Sequence, residues 1–269
     1  MKNYFPKDSY DTPPGTPRYW GDRLLLGSRW GFFVPFIWDI ILGSRKQAVK
    51  GLYDDEAWVK TCFKVLRYIE KCGGRFHIKG IDNIRKSPDS PLVVVGNHMS
   101  SLETAVFPAI IASIRPVTYV VKESLVKQRV FGPIMRSRDP VVVGRKNPRE
   151  DLVKVLKEGR EILQGGRSLI IFPQSTRNVE FDPSKFNTLG VKLAQRAGVK
   201  VLPVAIKTDF WGNNKIEAIK DFGPLSRDKP IYMTFGEPME IKGNGKEEHR
   251  RIIDFITSHL KEWDSPIAG

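Results

Sequence analysis

The chain has few of the residues that build disulfides and metal sites. Its 269 residues include 2 cysteines and 4 histidines. Cys62 and Cys72 fall on one predicted helix, a placement that argues against a bridge between them, and nothing else in the sequence implies an oxidising compartment. His77, His98, His249 and His259 are scattered, with neither His-Glu-x-x-His nor Cys-x-x-Cys spacing, so no metal site is expected. Gly-x-Gly-x-x-Gly, the Walker A pattern and Gly-x-Ser-x-Gly are absent, which weighs against dinucleotide, P-loop and serine-hydrolase chemistry. There is no internal repeat and no low-complexity tract, and Met1–Pro17 lacks the basic-then-apolar pattern and cleavage site expected of a secretory signal. Acidic residues are also in deficit. With 44 Lys plus Arg against 30 Asp plus Glu, the net charge is +14, which suits nucleic acid, anionic lipid or acidic soluble partners. No RRM, KH, zinc-finger or basic-zipper pattern accompanies the charge, so nucleic acid is not the expected partner.

What remains is globular in make-up, 41% hydrophobic and 28% charged, and long enough to bury a substantial core. From residue 75 onward, strand and helix patterns alternate. Short β-branched runs predict strands at 75–79, 91–96, 116–121, 140–143, 168–172, 201–206 and 230–235. Apolar periodicity predicts helices at about 101–113, 148–164, 187–197 and 246–262. Asn147-Pro148 gives the second of these an N-cap and first residue, and Gly165-Gly166 stops it. This alternation implies an α/β fold with a mostly parallel central sheet and flanking helices.

Residues 1–74 read differently and are expected to form an N-terminal helical appendage to an α/β domain at 75–269. Met1–Pro17 is rich in Pro, Asp and Gly and is predicted to be a loosely ordered lead. Residues 28–46 are almost wholly apolar between Arg29 and Arg45. A spanning helix needs about 20 apolar residues, and Pro35 and Asp39 interrupt this shorter run. Trp30, Phe32, Phe33, Phe36 and Trp38 suit the headgroup boundary of a membrane, and the cationic flanks suit anionic lipid. A core helix docked on the domain is the competing explanation. Residues 54–72 form an amphipathic helix with Trp58, Cys62, Val65, Leu66 and Ile69 on one stripe.

The stretch with most chemical content is Pro91–Pro108. A buried strand ends at Gly96-Asn97, and a helix begins near Ser100-Ser101. His98 lies between them and Glu103 one turn into the helix. On a continuous helix these two would diverge by about 140°. Across a strand–loop–helix junction they can converge, and the carboxylate would then fix the imidazole tautomer and leave one ring nitrogen to take a proton. Ser100-x-x-Glu103 is also a capping box, which alone would account for the glutamate. Lys122 and Arg145 close two further predicted strands. After the strand 168–172 comes Pro173-Gln174-Ser175-Thr176-Arg177, and no periodicity resumes until about Asn187. Structureless connections of this length are more often functional than idle. Arg177 carries a planar fork of donors suited to phosphate.

Taken together these stretches resemble the glycerolipid acyltransferases, the lysophosphatidic acid acyltransferase family. His98-Met99-Ser100-Ser101-Leu102-Glu103 is similar to the His-x-x-x-x-Asp box, with Glu for Asp. Lys122-x-x-Leu125, Phe131-Gly132-Pro133 and Arg145 resemble the second block. Phe172-Pro173-Gln174-Ser175-Thr176-Arg177 resembles Phe-Pro-Glu-Gly-Thr-Arg with Gln and Ser substituted, and Lys185-Phe186 and Gly190 resemble its continuation. Val201-Leu202-Pro203-Val204-Ala205 is similar to the fourth, Pro-centred strand. The resemblance implies transfer of a fatty acyl group from acyl-CoA or acyl carrier protein, as co-substrate, to lysophosphatidic acid in phospholipid synthesis, with no bound cofactor. It assigns His98 and Glu103 to catalysis. Arg177, Arg145 and Lys122 would hold the acceptor phosphate, and Asn97, Gln174, Ser175 and Thr176 would form a supporting loop. It implies a monotopic association with an anionic leaflet on the cytoplasmic face. Another lysophospholipid or lipid alcohol as acceptor, or a non-enzymatic peripheral membrane protein on the same fold, are the alternatives.

Overall fold

Residues 92–95 are all buried, and their side chains alternate between two layers. Leu92 and Val94 enter one hydrophobic core; Val93 and Val95 enter the other. Their strand lies inside an eight-stranded sheet in the computed structural model, which describes residues 2–174, 176–216 and 220–265. The strands are β1 (Tyr10–Asp11), β2 (Phe76–Lys79), β3 (Leu92–Gly96), β4 (Val117–Lys122), β5 (Val141–Val143), β6 (Ser168–Ile171), β7 (Lys200–Lys207) and β8 (Ile231–Phe235), in the spatial order β1-β2-β8-β7-β3-β6-β4-β5. The run β7-β3-β6-β4-β5 is parallel throughout, and β2 is parallel to β8. β7-β8 and β1-β2 are antiparallel, so the sheet is mixed at one end. Across the parallel run, all strand C-termini open on one edge, where ligands bind in open α/β sheets.

The helices are α1 (Trp20–Leu24), α2 (Trp30–Pro35), α3 (Leu42–Val49), α4 (Asp55–Lys71), α5 (Ile81–Arg85), α6 (Leu102–Ile110), α7 (Glu123–Lys127), α8 (Gly132–Arg136), α9 (Pro148–Gln164), α10 (Leu189–Ala197) and α11 (Lys246–Asp264). One core takes in Leu66 and Ile69 of α4 with Val106 and Phe107 of α6. The other takes in Val155 and Leu163 of α9, Leu193 of α10 and Ile252 of α11. The sheet is thus covered on both faces. Asn147 caps α9 by accepting from the Arg149 and Glu150 N–H groups, as its sequence position suggests.

Residues 1–74 depart from the expectation of an appendage. The lead is ordered: Phe5 is fully buried, β1 pairs with β2, and the Tyr10 and Thr12 hydroxyls donate to the Glu70 carboxylate at 2.7 and 2.8 Å. Two residues of strand amid Pro, Asp and Gly carry no alternation to read. The aromatic segment is also split between two directions. Phe32 and Phe33 are wholly buried, with ring centroids 5.0 and 5.5 Å from that of Trp211, and Phe33 also meets Phe222. They are core residues, not membrane-binding ones. Phe36 is half-buried against Phe32 and Trp211, whereas Trp30 and Trp38 are exposed.

Pro35 and Asp39 do not end the helix. A π-helical stretch, Phe36–Ile41, joins α2 directly to α3. Proline cannot donate to the carbonyl four residues back, and that carbonyl, on Gly31, accepts from the Tyr19 hydroxyl instead. Asp39 accepts from Tyr68 at 2.6 Å and pairs with Lys64, both on α4. Among the described residues no helix is long and apolar enough to cross a membrane.

Phe5, Phe32, Leu66, Phe107 and Met233 belong to one core, so the packing has no boundary at residue 74. Leu66→Ala should therefore destabilise the whole protein by about 2–5 kcal/mol, the usual cost of such a cavity. The check is a single denaturant transition with a lowered midpoint; an unmoved main transition would mean that α4 unfolds separately.

Candidate active site

The site grows from the end of β3. After Gly96 the chain leaves the sheet, turns through residues 97–101 and enters α6, which brings Glu103 back under His98. His98 Nδ1 and Glu103 Oε1 are 2.8 Å apart. Oε1 also accepts from the backbone N–H of Met99 and of Ser100, at 2.8 and 2.9 Å. Oε2 accepts from the Ser100 hydroxyl at 3.0 Å and the Thr208 hydroxyl at 2.7 Å. Glu103 is completely buried. Burial pushes its carboxyl pKa up, but the bonds from His98, Thr208 and Ser100 outweigh this and leave it below the ordinary 4.5. Capping and orienting the imidazole, the two explanations open from sequence, are performed by one carboxylate. With Nδ1 engaged, Nε2 is the ring nitrogen left for a substrate proton.

The surrounding residues fix the ring. Phe172, at the end of β6, stacks on it with centroids 4.3 Å apart. The His98 N–H donates to Gln174 Oε1 at 2.8 Å, a bond that an amide oxygen makes as well as a carboxylate would. Asn97 points elsewhere: its amide donates to the Ile206 carbonyl at 2.8 Å and accepts from the Ile206 N–H at 2.9 Å, tying β3 to β7. Thr176 is exposed, and Ser175 lies outside the described residues.

The three candidate phosphate-binding cations follow β6, β4 and β5, successive neighbours of β3 on the open edge. Arg177 comes nearest. Its guanidinium donates to the Ser101 hydroxyl and pairs with Asp221, whose carboxylate also accepts from Ser101 at 2.6 Å. Burial raises the Asp221 carboxyl, but Ser101 and Arg177 outweigh it and leave it below the ordinary 3.8. Arg145 sits beyond β5 at a left-handed φ of 58°, its N–H bonded to Asp151 at 2.7 Å. Arg145 is exposed, and partial desolvation of its guanidinium, with the like charge of Arg177 adding and Asp151 opposing, lowers its pKa. Lys122 is exposed at the end of β4, two strand spacings or about 10 Å from β3. The structure therefore brings Arg177 to the turn that carries His98 and Glu103 and leaves Lys122 at the rim.

Residues 75–207 match the family model described as Acyltransferase. The 1-acyl-sn-glycerol-3-phosphate acyltransferase of Pseudomonas aeruginosa is 30% identical over 209 residues, spanning 77% of this chain and 74% of that protein. The chain belongs to the glycerolipid acyltransferase family. A probable 1-acyl-sn-glycerol-3-phosphate acyltransferase of Mycoplasma genitalium is 27% identical over 199 residues, 71% of each chain. The crystal structure of the 1-acyl-sn-glycerophosphate (LPA) acyltransferase PlsC from Thermotoga maritima shares the fold, with a TM-score of 0.67 at 20% identity over 92% of this chain and 98% of that one. In this acyltransferase, Glu103 reaches His98 despite its longer arm.

Sequence reasoning missed Thr208 and Asp221. Both lie between β7 and β8, where no periodic pattern marks them, and a lone Thr or Asp in a loop carries no signal of its own. For Glu103, loss of the charge should affect chemistry and stability together. Glu103→Gln should cut turnover and cost about 1–3 kcal/mol at neutral pH. A depressed carboxyl pKa stabilises the fold above the unfolded value and loses that contribution as pH falls through the folded one. The stability gap between wild type and Glu103→Gln should therefore close below about pH 4.5. Denaturant titrations across pH check this; a gap that persists in acid would show that the ionised carboxylate contributes nothing.

Proposed function

We propose that this acyltransferase moves a fatty acyl group from a thioester, on CoA or acyl carrier protein, to the free hydroxyl of lysophosphatidic acid, giving phosphatidic acid. The observation that carries the reading is the His98–Glu103 pair, with Nδ1 pinned by a buried carboxylate and Nε2 left over. His98 Nε2 takes the hydroxyl proton as the oxygen attacks the thioester carbonyl, and returns it to the thiolate when the C–S bond breaks. No acyl-enzyme intermediate is needed. The acceptor phosphate takes the place of Asp221 on Arg177, with Arg145 beside it and Lys122 at the rim adding attraction. That the related proteins of Pseudomonas aeruginosa and Mycoplasma genitalium are named 1-acyl-sn-glycerol-3-phosphate acyltransferases supports this acceptor.

Thiol release from acyl-CoA on addition of lysophosphatidic acid tests the reading. His98→Ala should lower it about 10²–10⁴-fold. Asp221→Asn, which removes the anion resting on Arg177, should lower the acceptor KM and leave the donor KM unchanged. Release that is unaffected in His98→Ala, or that proceeds equally with an acceptor lacking phosphate, would overturn the mechanism or the acceptor respectively.

The protein is proposed to lie on an anionic leaflet without crossing it. The row that supports this is not the buried phenylalanine pair but the exposed side chains beside it: Trp20 and Leu24 one turn apart on α1, Leu26 at 95% exposure, and Trp30, Val34 and Trp38 at one-turn intervals. Arg18, Arg23, Arg29 and Lys46 flank them. Changing Trp20, Leu24 and Leu26 to Ser should weaken sedimentation with anionic vesicles and leave the thermal midpoint nearly in place, because these side chains are largely exposed. Undiminished vesicle binding would refute this face as the contact.

A further inference from the structure

Thr208 is fully buried one residue beyond β7, and its hydroxyl lies 2.7 Å from Glu103 Oε2 and 3.2 Å from the Ser100 hydroxyl. Its N–H lies 3.2 Å from the Met99 sulfur. The five donors on the Glu103 carboxylate are not equivalent. Four come from His98, Met99 and Ser100, so they belong to the same turn as the imidazole and move with it. The fifth comes from Thr208, just past the end of β7. β7 is parallel to β3 in register through Gly96 and Val204, and the Asn97 amide ties the two again at Ile206. Thr208 thus stands on a frame that the catalytic turn does not carry.

We propose that Thr208 is a positioning residue for acyl transfer: its hydroxyl references the Glu103 carboxylate, and through it the His98 ring, to the sheet edge that also bears Arg177. Four local bonds can keep the histidine–carboxylate pair intact while the whole turn rocks. From outside the turn, Gln174 on the His98 N–H and Phe172 on its ring hold it to β6. Thr208 is the one carboxylate donor that holds it to β7, and it completes what fixes where Nε2 sits relative to an acceptor held by residues after β6 and β5. A loss of that bond leaves both substrates bound and the base present, but misaligned. The inference rests on His98 acting as the base.

The test uses the full-length protein with acyl-CoA and lysophosphatidic acid, measuring kcat and both KM values for wild type, Thr208→Val, Thr208→Ser and His98→Ala. Thr208→Val removes the donor at nearly constant volume. Its kcat should fall on the order of 10-fold, with both KM values within about twofold of wild type, and Thr208→Ser, which restores the hydroxyl, should recover most of the kcat. Should Thr208→Val give no folded protein, Thr208→Ala against Thr208→Ser poses the same contrast. A wild-type kcat in Thr208→Val beside an inactive His98→Ala overturns the role of Thr208 and leaves the base assignment standing. So does a Thr208→Ser as impaired as Thr208→Val, because the hydroxyl is then not the operative group. An active His98→Ala overturns the base assignment and this proposal with it.

Discussion

A carboxylate with no contact with water has to be surrounded by donors or it will not stay ionised, and the His98 end of this protein is arranged around that requirement. Glu103 is such a group. Removing a charge from water costs several kcal/mol even after relaxation, and only well-placed hydrogen bonds offset it. Two backbone N–H groups, two hydroxyls and an imidazole do so here. Satisfying the carboxylate and aiming the histidine are therefore a single structural problem. The path of residues 97–103, the start of α6 and the position of the end of β7 all follow from its solution.

The parallel part of the sheet supplies the remaining geometry. Histidine, arginine and the outer cations follow adjacent strands that run the same way, so residues distant in sequence share an edge without long loops. The Arg177–Asp221 pair keeps a buried-side guanidinium satisfied when no substrate is present. With Asp221 half in water, such a pair is weak, which suits the proposed exchange of Asp221 for an acceptor phosphate.

The α/β sheet with its flanking helices and the meeting of His98 with Glu103 were legible in the sequence, and the reasons are local. β3, β6 and β7 are short β-branched runs buried on both faces, and α4 and α9 carry clear stripes and stop signals. His98 and Glu103 could be placed because strand end and helix start are marked by Gly96-Asn97 and Ser100-Ser101. What was hidden depends on contacts distant in sequence. β1 is held by Glu70 and β2. The direction of β8 is set by pairing with β7, which composition does not encode. The aromatic segment was misread in part because hydrophobicity along a helix does not say which side faces inward. Only Trp211 and Phe222, about 180 residues on, reveal that Phe32 and Phe33 are core.

The Asn97 amide bonds to both polar groups of Ile206, continuing the β3–β7 ladder with a side chain after the strands themselves have parted. Six residues further on, Glu103 meets Thr208, two beyond Ile206. The two chains are thus pinned to each other twice in quick succession, and the number of residues between the pins is set on both. An insertion or deletion of one residue between 97 and 103, or between 206 and 208, would slide a carboxylate or a hydroxyl out of reach however conservative its chemistry.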